Sequence, residues 1–155
     1  MNGKEKIVQQ SKHWLVESLL DLLKQESYQK ITVKAIALNA DLSRRTFYRF
    51  FKNKDDLLKY YGICLINEYW DFIKNQKDIT FAQMLNAFFN FWWDRRNNIH
   101  VLIKQNLFIP LLTQVTKQTS KYVRIYDVNF GWHVNNISAS EENIIMEFLQ
   151  VGIGM

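Results

Sequence analysis

Three cap residues divide residues 32–54 into short helical segments. Thr32, Ser43 and Asn53 each carry a side-chain oxygen that can accept a hydrogen bond from a free amide in the first turn of a following helix. Between the first two caps, Asn39-Ala40-Asp41 supplies residue types that tolerate the left-handed backbone angles of a tight turn. The spacing predicts a helix, a turn and a second helix, followed by a third helix from about residue 54.

The positive charge of residues 32–54 is concentrated in the second predicted helix and the residues that follow it. Residues 43–54 contain five basic residues and no acidic one: Arg44, Arg45, Arg49, Lys52 and Lys54. Four aromatic residues are interleaved with them: Phe47, Tyr48, Phe50 and Phe51. Phe47 and Phe50 are three residues apart and are predicted to pack inward, with Phe51 beside them. Basic and aromatic residues combined in this way are typical of a recognition helix presented to nucleic acid.

The charge of the whole chain is concentrated near its start. Residues 1–60 contain twelve Lys or Arg against seven Asp or Glu, and residues 61–155 contain eight of each. The net charge of +5 therefore lies entirely in the first part. This asymmetry favours a polyanion-binding head, although a solvated basic face remains the alternative interpretation.

Composition favours an all-α protein. The 155 residues include five glycines and one proline, which indicates few turns and long helices. Hydrophobic residues make up 48% of the chain, enough for a substantial core, yet no apolar run is long enough to span a membrane. The polar N-terminus lacks a signal-peptide core, and the single cysteine, Cys64, fits a reducing compartment. A cytoplasmic protein is therefore expected.

Helical periodicity continues on both sides of the helix-turn-helix stretch. Ser11 either caps the first helix or lies inside a longer one, and Pro110 is expected to kink or interrupt the helix that contains it. We predict a head at residues 1–54 and a helical regulatory and dimerisation body at residues 55–155. Besides the two short segments, the predicted helices cover residues 5–25, about 54–74, 81–92, 99–115 and about 138–151.

No pattern indicates catalysis, a metal or a cofactor. His13, His100 and His133 are scattered without metal-ligand spacing, and phosphate-binding and nucleophile motifs are missing. The chain is therefore not expected to be an enzyme. The aromatic residues of the body, among them Phe88, Trp92 and Phe108, have two open interpretations. They form core packing alone, or they line an apolar effector pocket.

The helix-turn-helix stretch resembles the TetR family of transcriptional regulators over about residues 11–60. The resemblance is carried by Ile31-Thr32-Val33, Ile36-Ala37, Leu42-Ser43-Arg44, Thr46 to Phe51 and Lys52 to Leu58. It implies a three-helix DNA-binding head, a linking fourth helix and an all-α body that binds an effector and dimerises. Within the family, the chain looks similar to small regulators related to the dihydroxyacetone-kinase activator.

The resemblance implies contacts with double-stranded DNA at matching positions. Backbone phosphate contacts are expected from the start of the second helix, from hydroxyls around the third, and from the start of the fourth. Arginines of the third helix are expected to face base edges or flanking phosphates. The positions are Thr32, Lys34, Ser43, Arg44, Arg45, Thr46, Tyr48, Arg49 and Lys54.

The chain departs from the family pattern in three places. Asp41 stands where Gly or Asn is usual in the turn, and Arg45 stands where a small residue is common. The chain stops at Val-Gly-Ile-Gly-Met, where relatives continue into one more helix that pairs in the dimer. We therefore expect the last family helix to be missing. Four apolar residues before that point are the predicted dimer contacts: Ile144, Ile145, Phe148 and Leu149.

Two functions from different classes follow. The first is a dimeric transcriptional regulator, usually a repressor, that binds a palindromic operator and is released by a small apolar effector. The alternative is a TetR-like coactivator that works through a protein partner. The intact basic helix favours the first.

Overall fold

The computed structural model describes residues 2–74 and 81–114, and these residues are helical with no strand among them. The helices are α1 (Gly3–Gln25), α2 (Val33–Asn39), α3 (Arg44–Phe50), α4 (Lys54–Lys74), α5 (Phe81–Asp94) and α6 (Arg96–Lys104). Residues 108–114 are again helical. The predicted all-α class is confirmed. No helix in the described ranges is long and apolar enough to cross a membrane.

The start of α1 settles the alternative that the sequence left open. Asn2 and Glu5 form a reciprocal capping box, each side chain accepting the other's backbone N–H at 3.0 Å. Ser11 lies inside the helix, where its hydroxyl donates to the carbonyl of Ile7 at 2.8 Å. The helix therefore begins at Gly3 and not at Ser11.

The three predicted caps of the head are confirmed. Thr32 Oγ1 accepts the backbone N–H three residues later at 3.1 Å, and Ser43 Oγ does the same at 3.0 Å. Asn53 Oδ1 accepts the corresponding amide of α4 at 2.9 Å. Because each cap satisfies an amide that its helix cannot, the starts of α2, α3 and α4 follow from local sequence.

The turn between α2 and α3 is a Schellman motif closed by a non-glycine residue. Asp41 has a φ of 52°, the left-handed conformation predicted for the turn. Its N–H donates to the carbonyl of Leu38 at 3.0 Å, and the N–H of Leu42 donates to the carbonyl of Ala37 at 2.8 Å. These two bonds satisfy the last carbonyls of α2 and turn the chain into α3.

A second Schellman motif ends α6 and corrects one prediction. Asn106 has a φ of 57°, and the N–H of Leu107 donates to the carbonyl of Leu102 at 2.8 Å. The helix predicted over residues 99–115 is therefore interrupted, but at Asn106 and not at Pro110. Pro110 instead lies in the first turn of the segment 108–114, where a missing N–H costs no helical bond.

The chain packs as two compact units. The first contains Met1–Gly62 together with Asn98–Phe108, and the second contains Ile63–Asn97 and begins again at Ile109. The division into residues 1–54 and 55–155 stays a prediction. The packing of Asn98–Phe108 with the N-terminal unit is a feature that sequence periodicity did not indicate.

The core of the first unit holds α2 between α1 and α3. Ser18 joins two of these helices, since its buried hydroxyl donates to the carbonyl of Ile36 at 2.8 Å and accepts from Asn39 Nδ2 at 3.1 Å. Burial of large apolar side chains supplies most of the stabilisation. Fully buried members of this core are Leu15, Leu19, Leu20, Leu23, Ile31, Ile36, Phe47, Leu57 and Leu102.

Glycine at position 41 is expected to stabilise the protein. Asp41→Gly removes the steric cost of a left-handed residue with a Cβ, and the free energy of unfolding should rise by about 0.5–1 kcal/mol. Asp41→Val introduces a β-branched residue at the same angles and should lower it by at least about 1 kcal/mol. Urea unfolding of the two variants and the wild type measures both changes. A glycine variant less stable than the wild type would contradict the role of this turn.

Candidate nucleic-acid interface

Two buried phenylalanines fix the orientation of α3. Phe47 is 0% exposed and Phe51, at the end of the helix, is 4% exposed. Their rings lie 5.7 Å apart, and Phe51 also packs against the ring of Tyr60 at 5.3 Å. Phe50 is only half-buried, so the inward face of α3 depends mainly on Phe47 and Phe51. With that face buried, the remaining positions of α3 point outward.

The outward positions of α3 carry its three arginines. Arg44, Arg45 and Arg49 are all exposed. Within the described residues none of the three forms an ion pair, which leaves their guanidinium groups available for an external anion. Two are ordered by aromatic neighbours. The guanidinium of Arg44 lies 5.9 Å from the Tyr48 ring centroid, and that of Arg49 lies 4.6 Å from the centroid of Phe50.

Hydroxyl groups and one lysine surround the starts of α2 and α3. Ser43 Oγ and Thr46 Oγ1 are 2.9 Å apart and share a hydrogen bond at the first turn of α3. The exposed Thr32 caps α2, and the exposed Lys34 lies in its first turn. Tyr48 is 51% exposed on α3. These positions combine N–H groups of helix starts, hydroxyl donors and positive charge, which are the groups that bind phosphate oxygens.

Lys54 is placed differently from the other predicted contacts. Its ammonium donates to three backbone carbonyls in the loop between α1 and α2: those of Tyr28 at 2.6 Å, Ile31 at 2.9 Å and Gln29 at 3.2 Å. An ammonium has three N–H donors, and all three have partners here. The phosphate contact predicted for Lys54 stays a prediction, and this geometry argues against it.

Tyr28 lies at the centre of that loop. Its hydroxyl donates to Asp55 Oδ1 at 2.6 Å, and the Lys54 ammonium lies 4.5 Å from its ring centroid. Burial raises the pKa of the Tyr28 hydroxyl well above its usual range, and the neighbouring Asp55 carboxylate raises it further. Lys54 and Asp55 therefore hold the α1–α2 loop against the start of α4.

The comparison with known families agrees with this geometry. Residues 15–61 match the model of the family described as bacterial regulatory proteins, tetR family. The chain carries a tetR-family head. The match begins at Leu15 in α1 and ends at Tyr61 in α4, so it covers the helix-turn-helix and the adjoining parts of α1 and α4. A search of curated proteins finds no match.

The match over the head supports a DNA-binding transcriptional regulator. Members of the family are regulators and generally not enzymes. In the described ranges no group of three or more His, Cys, Asp or Glu side chains could hold a metal ion. The closer similarity to regulators related to the dihydroxyacetone-kinase activator stays a prediction.

The aromatic residues of the second unit form a packed cluster. Tyr69 packs its ring against Phe91 at 5.2 Å, Trp92 at 5.7 Å and Phe88 at 6.0 Å. Burial raises the pKa of Tyr69 to about 12. Two of the three predicted pocket residues, Phe88 and Trp92, are partly buried against this core. Both side chains therefore contribute to the packing of the core.

The remaining predicted site residues are Phe108 and the four predicted dimer contacts. Phe108 is half-buried and belongs to the first unit, whereas Phe88 and Trp92 belong to the second. A pocket that contains all three stays a prediction. The predicted dimer contacts Ile144, Ile145, Phe148 and Leu149 lie outside the described residues.

Sequence reasoning missed one residue that the structure connects to the head. Gln105 follows the last residue of α6 and hydrogen-bonds to the C-terminal end of α1 and to the α1–α2 loop. The partners are 77 to 82 residues away in the chain. No local pattern indicates such a contact, because a single glutamine at a helix end is common on any protein surface.

Proposed function

We propose that this tetR-family protein is a cytoplasmic repressor that binds an inverted-repeat DNA site as a homodimer. The observation that carries the proposal is the presentation of α3. Three exposed arginines without ion-pair partners among the described residues project from a helix whose Phe47 and Phe51 are buried. A rigid helix with free guanidinium groups on its outer face fits the major groove of duplex DNA.

Each group of the head has a role in this proposal. Arg44, Arg45 and Arg49 contact base edges and flanking phosphates. Ser43, Thr46 and Tyr48 supply hydroxyl or amide donors to phosphate oxygens, and Thr32 and Lys34 contact the backbone from the start of α2. The phosphate contacts fix the register of the head on the duplex, and the arginine contacts supply sequence discrimination.

The second part of the proposal concerns release. A small apolar effector that binds among the aromatic side chains of the body releases the protein from its operator. The aromatic cluster around Tyr69 and Phe91 supports an apolar ligand class, because pockets for small molecules are lined mainly by hydrophobic and aromatic side chains.

Selection of bound sequences from a random duplex library tests the proposal. The full chain should enrich an inverted repeat whose half-sites are separated by about one helical turn or a multiple of it. A single half-site would contradict the dimer. Recovery of no sequence at low salt would contradict DNA recognition, and a protein that then co-purifies with the chain would favour the coactivator alternative.

A further inference from the structure

One carboxamide joins the end of α6 to the end of α1. Gln105 Nε2 donates to the carbonyl of Leu23 at 3.0 Å and to that of Glu26 at 3.1 Å. Its Oε1 accepts the backbone N–H of Tyr28 at 3.3 Å. The last carbonyls of a helix lack partners within the helix, and here a side chain from a distant segment satisfies two carbonyls at the end of α1. A carboxamide suits this position because it carries both a donor and an acceptor.

Gln105 is itself held in place. It is the C-cap of α6, directly before the left-handed Asn106, and the Schellman bonds from Asn106 and Leu107 fix the backbone around it. Leu102, whose carbonyl receives one of these bonds, is 0% exposed. The carboxamide therefore extends from a rigid base.

The loop that Gln105 contacts is also held by the start of α4. Lys54 donates to the carbonyls of Tyr28, Gln29 and Ile31. Residues 26–31 are thus fixed between the start of α4 and the end of α6. The next residue is Thr32, the cap of α2. The position of this loop accordingly sets where α2 starts.

We infer that Gln105 is a positioning residue for DNA binding. It touches no DNA, and acts by holding the α1–α2 loop so that Thr32 and Lys34 meet the phosphate backbone while α3 lies in the groove. The inference rests on the proposed function, because it needs a head that binds duplex DNA. Without the three bonds the loop samples other positions, and only a fraction of the molecules present α2 correctly. The apparent affinity is then the intrinsic affinity multiplied by that fraction.

Three variants of the full chain test the inference. Gln105→Met keeps the length of the side chain and removes every bond, and Gln105→Glu keeps an acceptor but cannot donate to the carbonyls. Gln25→Met is the matched control, an exposed glutamine in the last turn of α1. The probe is the duplex that the wild type selects. Binding is measured at a temperature at which circular dichroism shows every variant folded.

Both Gln105 variants should bind on the order of tenfold more weakly than the wild type, whereas the Gln25 control should bind normally. The slope of log K against log salt should not change, because the same side chains still meet the phosphates. In the free protein, hydrogen exchange at the Tyr28 amide should become faster.

Lys54→Met should likewise weaken DNA binding without changing the salt slope. Lys34→Met should instead reduce the slope by about 0.9 for each phosphate that the lysine neutralises.

The outcomes separate the inference from the proposed function. A Gln105→Met protein that melts at a lower temperature but binds the duplex as tightly as the wild type has lost only stability, and that result overturns the inference alone. A reduced salt slope would also overturn it, because it would show that Gln105 acts on the phosphate backbone directly. A wild-type protein that binds no duplex overturns the proposed function and, with it, the inference.

Discussion

Alanine at Arg44 should weaken binding to the selected duplex by about 1–3 kcal/mol per half-site, and its effect should be largest at one base position. Arg44 is exposed, without an ion pair among the described residues, and steadied by the Tyr48 ring. A guanidinium in that state can form two hydrogen bonds to a guanine edge without first breaking an internal ion pair. Gel-shift titration against the duplex and its single-base variants measures both effects.

The control for Arg44→Ala is Arg96→Ala, an exposed arginine at the start of α6. Arg96→Ala also removes one positive charge, but at a position outside the head. The operator affinity of this variant should therefore stay within about twofold of the wild type. Both variants should keep the wild-type melting temperature, since exposed side chains contribute little to stability. Equal losses of affinity for the two variants would mean that net charge alone drives binding, and an unchanged affinity for Arg44→Ala would remove this residue from the interface.

Alanine at Phe47 should cost about 3–5 kcal/mol of unfolding free energy. The ring is 0% exposed and packs against Phe51 at 5.7 Å and Tyr48 at 5.6 Å, so its removal leaves a cavity that α3 cannot close. Because small domains are stable by only about 5–15 kcal/mol, this loss is a large part of the total. Urea unfolding followed by circular dichroism gives the change.

The matched control is the next residue of the same helix. Tyr48→Ala also removes an aromatic ring, but Tyr48 is 51% exposed, and its removal should cost about 1 kcal/mol or less. Tyr48→Ala should instead weaken DNA binding, because it removes both the hydroxyl and the ring that supports Arg44. If the two variants lost equal stability, Phe47 would not be the anchor of α3.

Local interactions made the head predictable from sequence. Each cap at Thr32, Ser43 and Asn53 bonds to an amide three residues away, so residue type and spacing contain all the information needed. The turn at Asp41 is equally local. The exposed arginines follow from the periodicity of α3 once Phe47 is placed inside.

Contacts between distant segments could not be predicted in this way. The hydrogen bonds from the Lys54 ammonium to the carbonyls of Tyr28 and Ile31 are an example, because they form only when α4 packs beside the α1–α2 loop. The phosphate contact of Lys54 stays a prediction. The break at Asn106 was missed for a different reason, since its hydrogen bonds are local. An asparagine tolerates left-handed angles anywhere, and Pro110 is the stronger helix breaker in the sequence. Gln105 acquires its role only when α6 ends beside α1.

The salt dependence of wild-type binding to the selected duplex tests the central claim most directly. Four exposed cations of the head, Lys34, Arg44, Arg45 and Arg49, should release counterions from DNA. If each meets a phosphate, log K should fall with log salt at a slope of roughly −3 to −4 per head, and about twice that for a dimer. A slope near zero would contradict the account, because a head that binds without releasing counterions does not contact the DNA backbone with these residues.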